Sequence, residues 1–150
     1  MDPNIIPTPH PDPWVNILGP YVTEVVLALN ANGIHVQQSW LDPRGPRDAT
    51  ILFSNPGEHS MSSNVLALVW DEETGWRRGH FVDGAQGRRT TLTQMAYLGG
   101  GLLPRADELA HRIIGERSET PRRHRSCDDD LRDGLDDALR MRTSAFASSW

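Results

Sequence analysis

The sequence has no lysine, a single cysteine and few aromatic residues, and each shortage closes off possibilities. All 15 basic residues are arginine, a bias that reflects codon usage more than chemistry. Cys127 stands alone, so the chain forms no internal disulfide and offers no cysteine-based zinc site. HExxH, HxH and CxxC spacings are all missing, and His35, His59 and His80 are isolated, which leaves no encoded metal site and no expected cofactor. No apolar run approaches the roughly 18 residues of a membrane span. The opening Met1-Asp2-Pro3-Asn4 lacks the basic and apolar regions of a secretory signal, so a cytoplasmic protein is expected. Hydrophobic residues make up 37% of the 150. That is below the usual share of about 45–50%, so part of the chain should lie outside the core. The net charge of −5 disfavours general binding to nucleic acid or anionic lipid.

What is present reads as one domain with flanking segments. Residues 1–13 hold Pro3, Pro7, Pro9, Pro11 and Pro13, a density that removes backbone donors and predicts an extended or disordered lead. Residues 14–116 carry the α+β pattern. Val22, Val25, Val26 and Leu29 recur at helical spacing between Gly19 and Gly33, with Pro20 in the first turn. Ile34 to Trp40 alternates as a strand with one wet face, and Thr50–Phe53 is a short second strand. Val65–Trp70 is apolar throughout, which predicts a central strand buried on both faces. After the turn at Asp71–Gly75, the chain returns from Trp76 to about Val82. Thr90–Leu98 fits either a fifth strand or a short helix, and a clear helix runs from Pro104 to Gly115. Residues 117–127 read as a basic linker. Residues 128–150 read as an amphipathic tail helix striped by Leu131, Leu135, Leu139, Phe146 and Trp150.

Three groups of residues also resemble a known family. They are Tyr21-Val22 opening the first helix, Ala67-Leu68-Val69-Trp70-Asp71-Glu72 with Gly75-Trp76, and Tyr97-Leu98-Gly99-Gly100 leading through Leu102-Leu103-Pro104 into a helix. Over about residues 21–114 the chain resembles the actinobacterial domain-of-unknown-function family six-two-nine-two. The resemblance implies a compact α+β domain and carries no activity across.

Several constellations invite chemistry. Asp71, Glu72 and Glu73 could hold a cation or divide acid and base roles, but adjacent turn residues tend to point apart, and a solvated hairpin tip is the plainer expectation. Trp70 and Trp76 flank the same turn, either packed across the hairpin or exposed as a platform for a partner. Gly99-Gly100-Gly101 lacks the Lys-Ser/Thr of a phosphate loop and reads as a tight turn. Ser60, Ser62 and Ser63 lack a nucleophile elbow. Arg77-Arg78 and Arg88-Arg89 could gather into a basic patch, yet acidic residues balance the arginines across the domain, so nucleic-acid binding is not favoured.

The expectation is therefore an antiparallel sheet of four or five strands with two helices packed mainly on one face, plus the tail helix. A central strand apolar on both sides requires a cover for the second face, which the tail helix or a second copy of the chain could supply. The function this favours is a non-catalytic interaction or regulatory protein, self-associating, with Trp70, Trp76, Leu131, Leu135, Leu139, Phe146 and Trp150 at the contact. The alternative is a small-ligand binder or enzyme. Its pocket would lie between the sheet and the Gly99–Leu103 loop, with Asp71, Glu72, Arg78 and His80 as the polar groups.

Overall fold

The computed structural model describes residues 6–42, 46–54, 65–125 and 134–148, with side chains in the last stretch as far as Met141. Its elements are α1 (Pro13–Asn16), α2 (Gly19–Ala31), β1 (His35–Asp42), β2 (Asp48–Ser54), β3 (Leu66–Asp71), β4 (Gly75–Ala85), β5 (Arg88–Tyr97), α3 (Ala106–Ile114) and α4 (Leu135–Ser148). The strands form one antiparallel sheet in the order β1-β2-β3-β4-β5. The fold is α+β, and the ambiguous stretch after Thr90 is a strand.

The apolar stripe of α2 cannot stabilise an isolated valine-rich helix, because β-branched side chains lose rotamer freedom there. It is stable because Val22, Val25, Val26 and Leu29 are buried against β1, β2 and α3. Val15 of α1, Leu109 and Ile113 of α3, and Leu135 and Leu139 of α4 enter the same cluster. All four helices thus lie on one face of the sheet. β3 occupies its centre, and Ala67, Leu68, Val69 and Trp70 are each no more than 1% exposed.

The second face is covered from within the chain, and not by the described part of the tail, which packs on α2. The β4–β5 hairpin coils back across it. Trp40 of β1 packs edge-on against Phe81 of β4 at 6.4 Å, although those strands are not neighbours. Thr50 of β2 and Thr90 of β5 share a buried 2.7 Å hydroxyl hydrogen bond. At the hairpin's far end the Gln86 amide donates to the Leu41 carbonyl, and the Gly87 N–H to Asp42. Register shifts between Arg78 and His80, Phe81 and Asp83, and Asp83 and Ala85 give β4–β5 this coil, as extra residues in a ladder bend the strand. Bare backbone at two positions allows the close approach. A Cβ on Gly79 would come within 2.9 Å of the Thr93 carbonyl, and one on Gly84 within 2.7 Å of the Thr90 hydroxyl.

The described parts of the flanking segments make contacts with the sheet. Thr8 pairs in parallel with β1, its N–H donating to Ser39 O and its carbonyl accepting from Leu41 N, so the proline-rich lead covers that edge. In the segment expected to be a basic linker, Glu119 pairs with Tyr97, and His124 N–H donates to the Glu73 carbonyl. It forms a strap across the end of the sheet.

One buried polar atom stands out. Ser39 Oγ has no hydrogen-bond partner among the described residues and lies inside the sheet, 4% exposed. An unsatisfied buried hydroxyl costs about 1–3 kcal/mol. Ser39→Ala is therefore expected to stabilise the fold by about 1 kcal/mol once the lost packing is deducted. Urea unfolding followed by tryptophan fluorescence measures this, and a destabilised variant would show that the hydroxyl is satisfied in solution.

Candidate ligand-binding cleft

The Trp70–Trp76 pair sits directly cross-strand in the β3–β4 hairpin, each ring 1% exposed. Trp70 Nε1 donates to the Leu102 carbonyl at 2.7 Å. Trp76 Nε1 donates to Tyr21 Oη, which in turn donates to the Pro104 carbonyl. Both indoles are buried and satisfied, so they are core rather than a partner platform. These same bonds hold the Gly99–Leu103 loop and Pro104 against the hairpin. Gly99, Gly100 and Gly101 all have positive φ, consistent with a tight turn.

Asp71 and Glu72 do not form a solvated tip. They are 4% and 2% exposed, because three arginines from elsewhere in the chain close over the turn. Asp71 accepts from the N–H groups of Glu73 and Thr74, from the Thr74 hydroxyl and from Arg77 Nη1 at 2.8 Å. Glu72 accepts from the Arg47 N–H at 2.7 Å and from Arg47 Nε at 2.9 Å, and also pairs with Arg125. Arg47 is 1% exposed and acts as a hub. Its Nη2 bonds Asp136 of α4 at 2.6 Å, and its guanidinium lies 4.1 Å above the Trp14 ring of α1. Every lone pair of Asp71 and Glu72 is thus engaged in holding turn, lead, strap and tail together, leaving neither as a free base.

The register sets Asp48 beside Asp42 on one side and Asp71 on the other. Burial, and then the charge of Asp42, push the Asp48 carboxyl up to about 7 against the pull of Arg89 and Arg77. Among the described residues no group of three metal-ligating side chains converges.

The tail residues are likewise spent within the chain. Leu135 and Leu139 are 6% and 0% exposed in the main core, where α4 packs on α2, so they are not free to enter a partner's groove. Leu131, Trp150 and Cys127, and the side chain of Phe146, lie outside the described residues.

Arg78 and His80 remain, and the structure does bring them together. Trp76, Arg78 and His80 share a parity on β4, so the latter two continue the helix-covered face beyond the edge of the core. There they line a cleft of about 400 Å³ between the sheet and the C-terminal end of α3. Ile34, Phe53, Leu66 and Ile113 form its apolar side, with Gln94, Ala96, Ile114 and Glu116 around the rest. Arg78 and His80 are half-buried, and no hydrogen bond or ion pair engages the Arg78 guanidinium among the described residues. The cleft is remote from Asp71 and Glu72, so the four expected polar groups split into two pairs with different roles.

Gln94 and Glu116 escaped sequence reasoning. They are the two non-glycine residues with positive φ among those described, at 52° and 50°, and both line this cleft. Strained backbone of this kind costs about 1–3 kcal/mol and gathers at functional sites. A residue after a helix-ending glycine, as Glu116 follows Gly115, was the available signal.

Against families of known sequences, the model of the family of unknown function DUF6292 matches residues 21–114. The chain belongs to that family. Its matched region runs from Tyr21 in α2 to Ile114 at the end of α3, and so holds the whole sheet and every cleft residue except Glu116. The lead, the strap and the tail of this DUF6292 member fall outside the match. No curated protein and no solved structure matches the chain. Among the described residues, no helix is long and apolar enough to cross a membrane.

Proposed function

We propose that this DUF6292 protein is a non-catalytic domain that binds a small molecule in the cleft between β4–β5 and α3. The observation that carries this reading is Arg78, a half-buried cation on the core-facing side of a sheet with no hydrogen-bond or ion-pair partner among the described residues. Every other deeply placed arginine, Arg47, Arg77 and Arg125 among them, is matched to a carboxylate. An unmatched guanidinium beside apolar surface costs desolvation that a ligand would offset. The cleft's size falls within the usual range of about 300–1,000 Å³ for ligand sites. Its described lining contains no serine, threonine or cysteine, which favours binding over covalent chemistry. Cytoplasmic residence belongs to the same reading, since one cysteine in 150 residues suits a reducing compartment.

The test is a library of neutral, cationic and anionic fragments screened by amide chemical shifts on the full chain. Fragments are expected to move the Arg78, His80 and Ala96 resonances. Ala96→Phe, which narrows the cleft, is expected to abolish those shifts without changing the fold. A library that leaves these resonances still would end the reading.

A second reading is self-association, for which one specific feature speaks. β5 is a ten-residue edge strand whose described outer pairing is a single bridge, from Tyr97 to Glu119, with Thr91, Thr93 and Met95 exposed. Such an edge invites strand addition from another chain. Light scattering after size-exclusion chromatography is expected to give a dimer that Thr93→Pro dissociates. A monomer at high concentration would remove this reading.

A further inference from the structure

We infer that the ligand of the cleft is an amphiphilic monocarboxylate, a single carboxylate on a compact apolar body. This inference rests on the cleft being a ligand site and gives that site a chemistry.

The two sides of the cleft differ in kind. On β4 and β5, Arg78, His80 and Gln94 present nitrogen donors, while Phe53, Leu66 and Ile113 present hydrocarbon. The Arg78 guanidinium is a planar fork of donors, and a carboxylate matches that fork with two parallel hydrogen bonds. A neutral ligand would leave the cation uncompensated, and a cationic one would add repulsion to it.

The sign and size of the ligand charge follow from what else faces the cleft. Its cationic complement is one guanidinium, because the adjacent Arg77 points to the opposite face and is paired with Asp71. Glu116 brings a negative charge to the rim. The wall formed by Ile113 and Ile114 is the C-terminal end of α3, where the helix dipole is negative. A dianion such as a phosphate monoester would meet one positive group and two negative influences. Phosphate sites usually draw on helix N-termini, and the helix end here is the opposite one. A single negative charge is therefore the best fit. The volume of about 400 Å³ accommodates about a dozen non-hydrogen atoms, at the roughly 30 Å³ that one water occupies in the liquid. Exposed Ile114 at the mouth lengthens the apolar track along which a chain or ring would lie.

A head-group series on one hydrocarbon tests this directly: octanoate, octanol, octylamine and octyl phosphate, each titrated into the full chain and followed at the Arg78, His80 and Ala96 amides. Octanoate is expected to bind most tightly, with octanol and octylamine at least about tenfold weaker and octyl phosphate weaker than octanoate. Arg78→Met is expected to lower octanoate affinity about tenfold, to leave octanol binding unchanged and not to lower the thermal midpoint, since no hydrogen bond or ion pair engages Arg78 among the described residues. Octanol matching octanoate, octyl phosphate exceeding it, or no effect of Arg78→Met would each overturn the monocarboxylate while leaving the cleft as a binding site. Silence of all four probes, where a library fragment still moves the same amides, overturns the ligand class alone. Silence of series and library together overturns both.

Discussion

Arg47→Met is expected to lower the unfolding free energy by about 3–5 kcal/mol, the range for removing one partner of a buried ion pair. Arg47 and Glu72 are 1% and 2% exposed, and the Arg47 backbone N–H, Nε and Nη2 all donate to the Glu72 carboxylate. Removing the guanidinium leaves Glu72 with Arg125 as its remaining charged partner, in a place where water scarcely reaches. It also frees Asp136 from its 2.6 Å bond, so that the polar attachment of α4 through Asp136 is reduced to the Trp14 indole N–H. Methionine keeps most of the volume, which isolates the charge from the packing. Adding Glu72→Gln to Arg47→Met is expected to recover none of the loss, because Arg125, whose side chain is 8% exposed, then loses the carboxylate it pairs with. Asp136→Asn, at a carboxylate one-third exposed, should cost no more than about 1 kcal/mol. Urea unfolding of the four proteins measures these differences. A cost below about 1 kcal/mol for Arg47→Met would show that the network is no stronger than a surface pair.

Asp48→Asn is expected to act in the opposite direction and to depend on pH. The carboxyl is 3% exposed and titrates near 7 in the fold, against an ordinary 3.8. Below both values the folded and unfolded chains alike hold the proton, and the residue costs nothing. Between them the unfolded chain releases a proton that the folded chain keeps, so stability falls as pH rises. Above about 7 the loss is complete, on the order of 4 kcal/mol at about 1.4 kcal/mol per unit. The asparagine variant escapes this loss. Its advantage over the parent should be near zero at about pH 4, grow through pH 5 and 6, and level off above about pH 7. Chemical denaturation across that range tests the shape as well as the size, and a flat difference would mean that Asp48 titrates as an ordinary carboxylate.

These two residues show where reading by sequence stops. Asp48 stands before an apolar strand and looks like a turn residue. Its burial follows from the β4–β5 hairpin folding across that end of the sheet, which no local pattern announces. Arg47 looks like one more arginine in a proline- and glycine-rich loop. Its partners Glu72 and Asp136 are 25 and 89 positions away. The acidic turn looks solvated for the same reason, since a carboxylate run signals water unless distant cations are brought over it. The cleft was half legible. The shared parity of Arg78 and His80 with buried Trp76 already placed both on the core-facing side, whereas Gln94 and Glu116 joined them through backbone angles that composition does not encode.

What the linear sequence determined by itself was the set of elements and the place of the central one. An apolar run of strand length has to be sheltered on both sides, so Val65–Trp70 could only lie in the interior of a sheet, and the period of the valines in α2 allowed one helix face to cover it. Tertiary structure alone decided what shelters the second side, which charges are neutralised and which arginine faces the cleft. Periodicity is a property of neighbours along the chain, whereas strand coiling and ion pairing depend on which distant segments arrive at the same place.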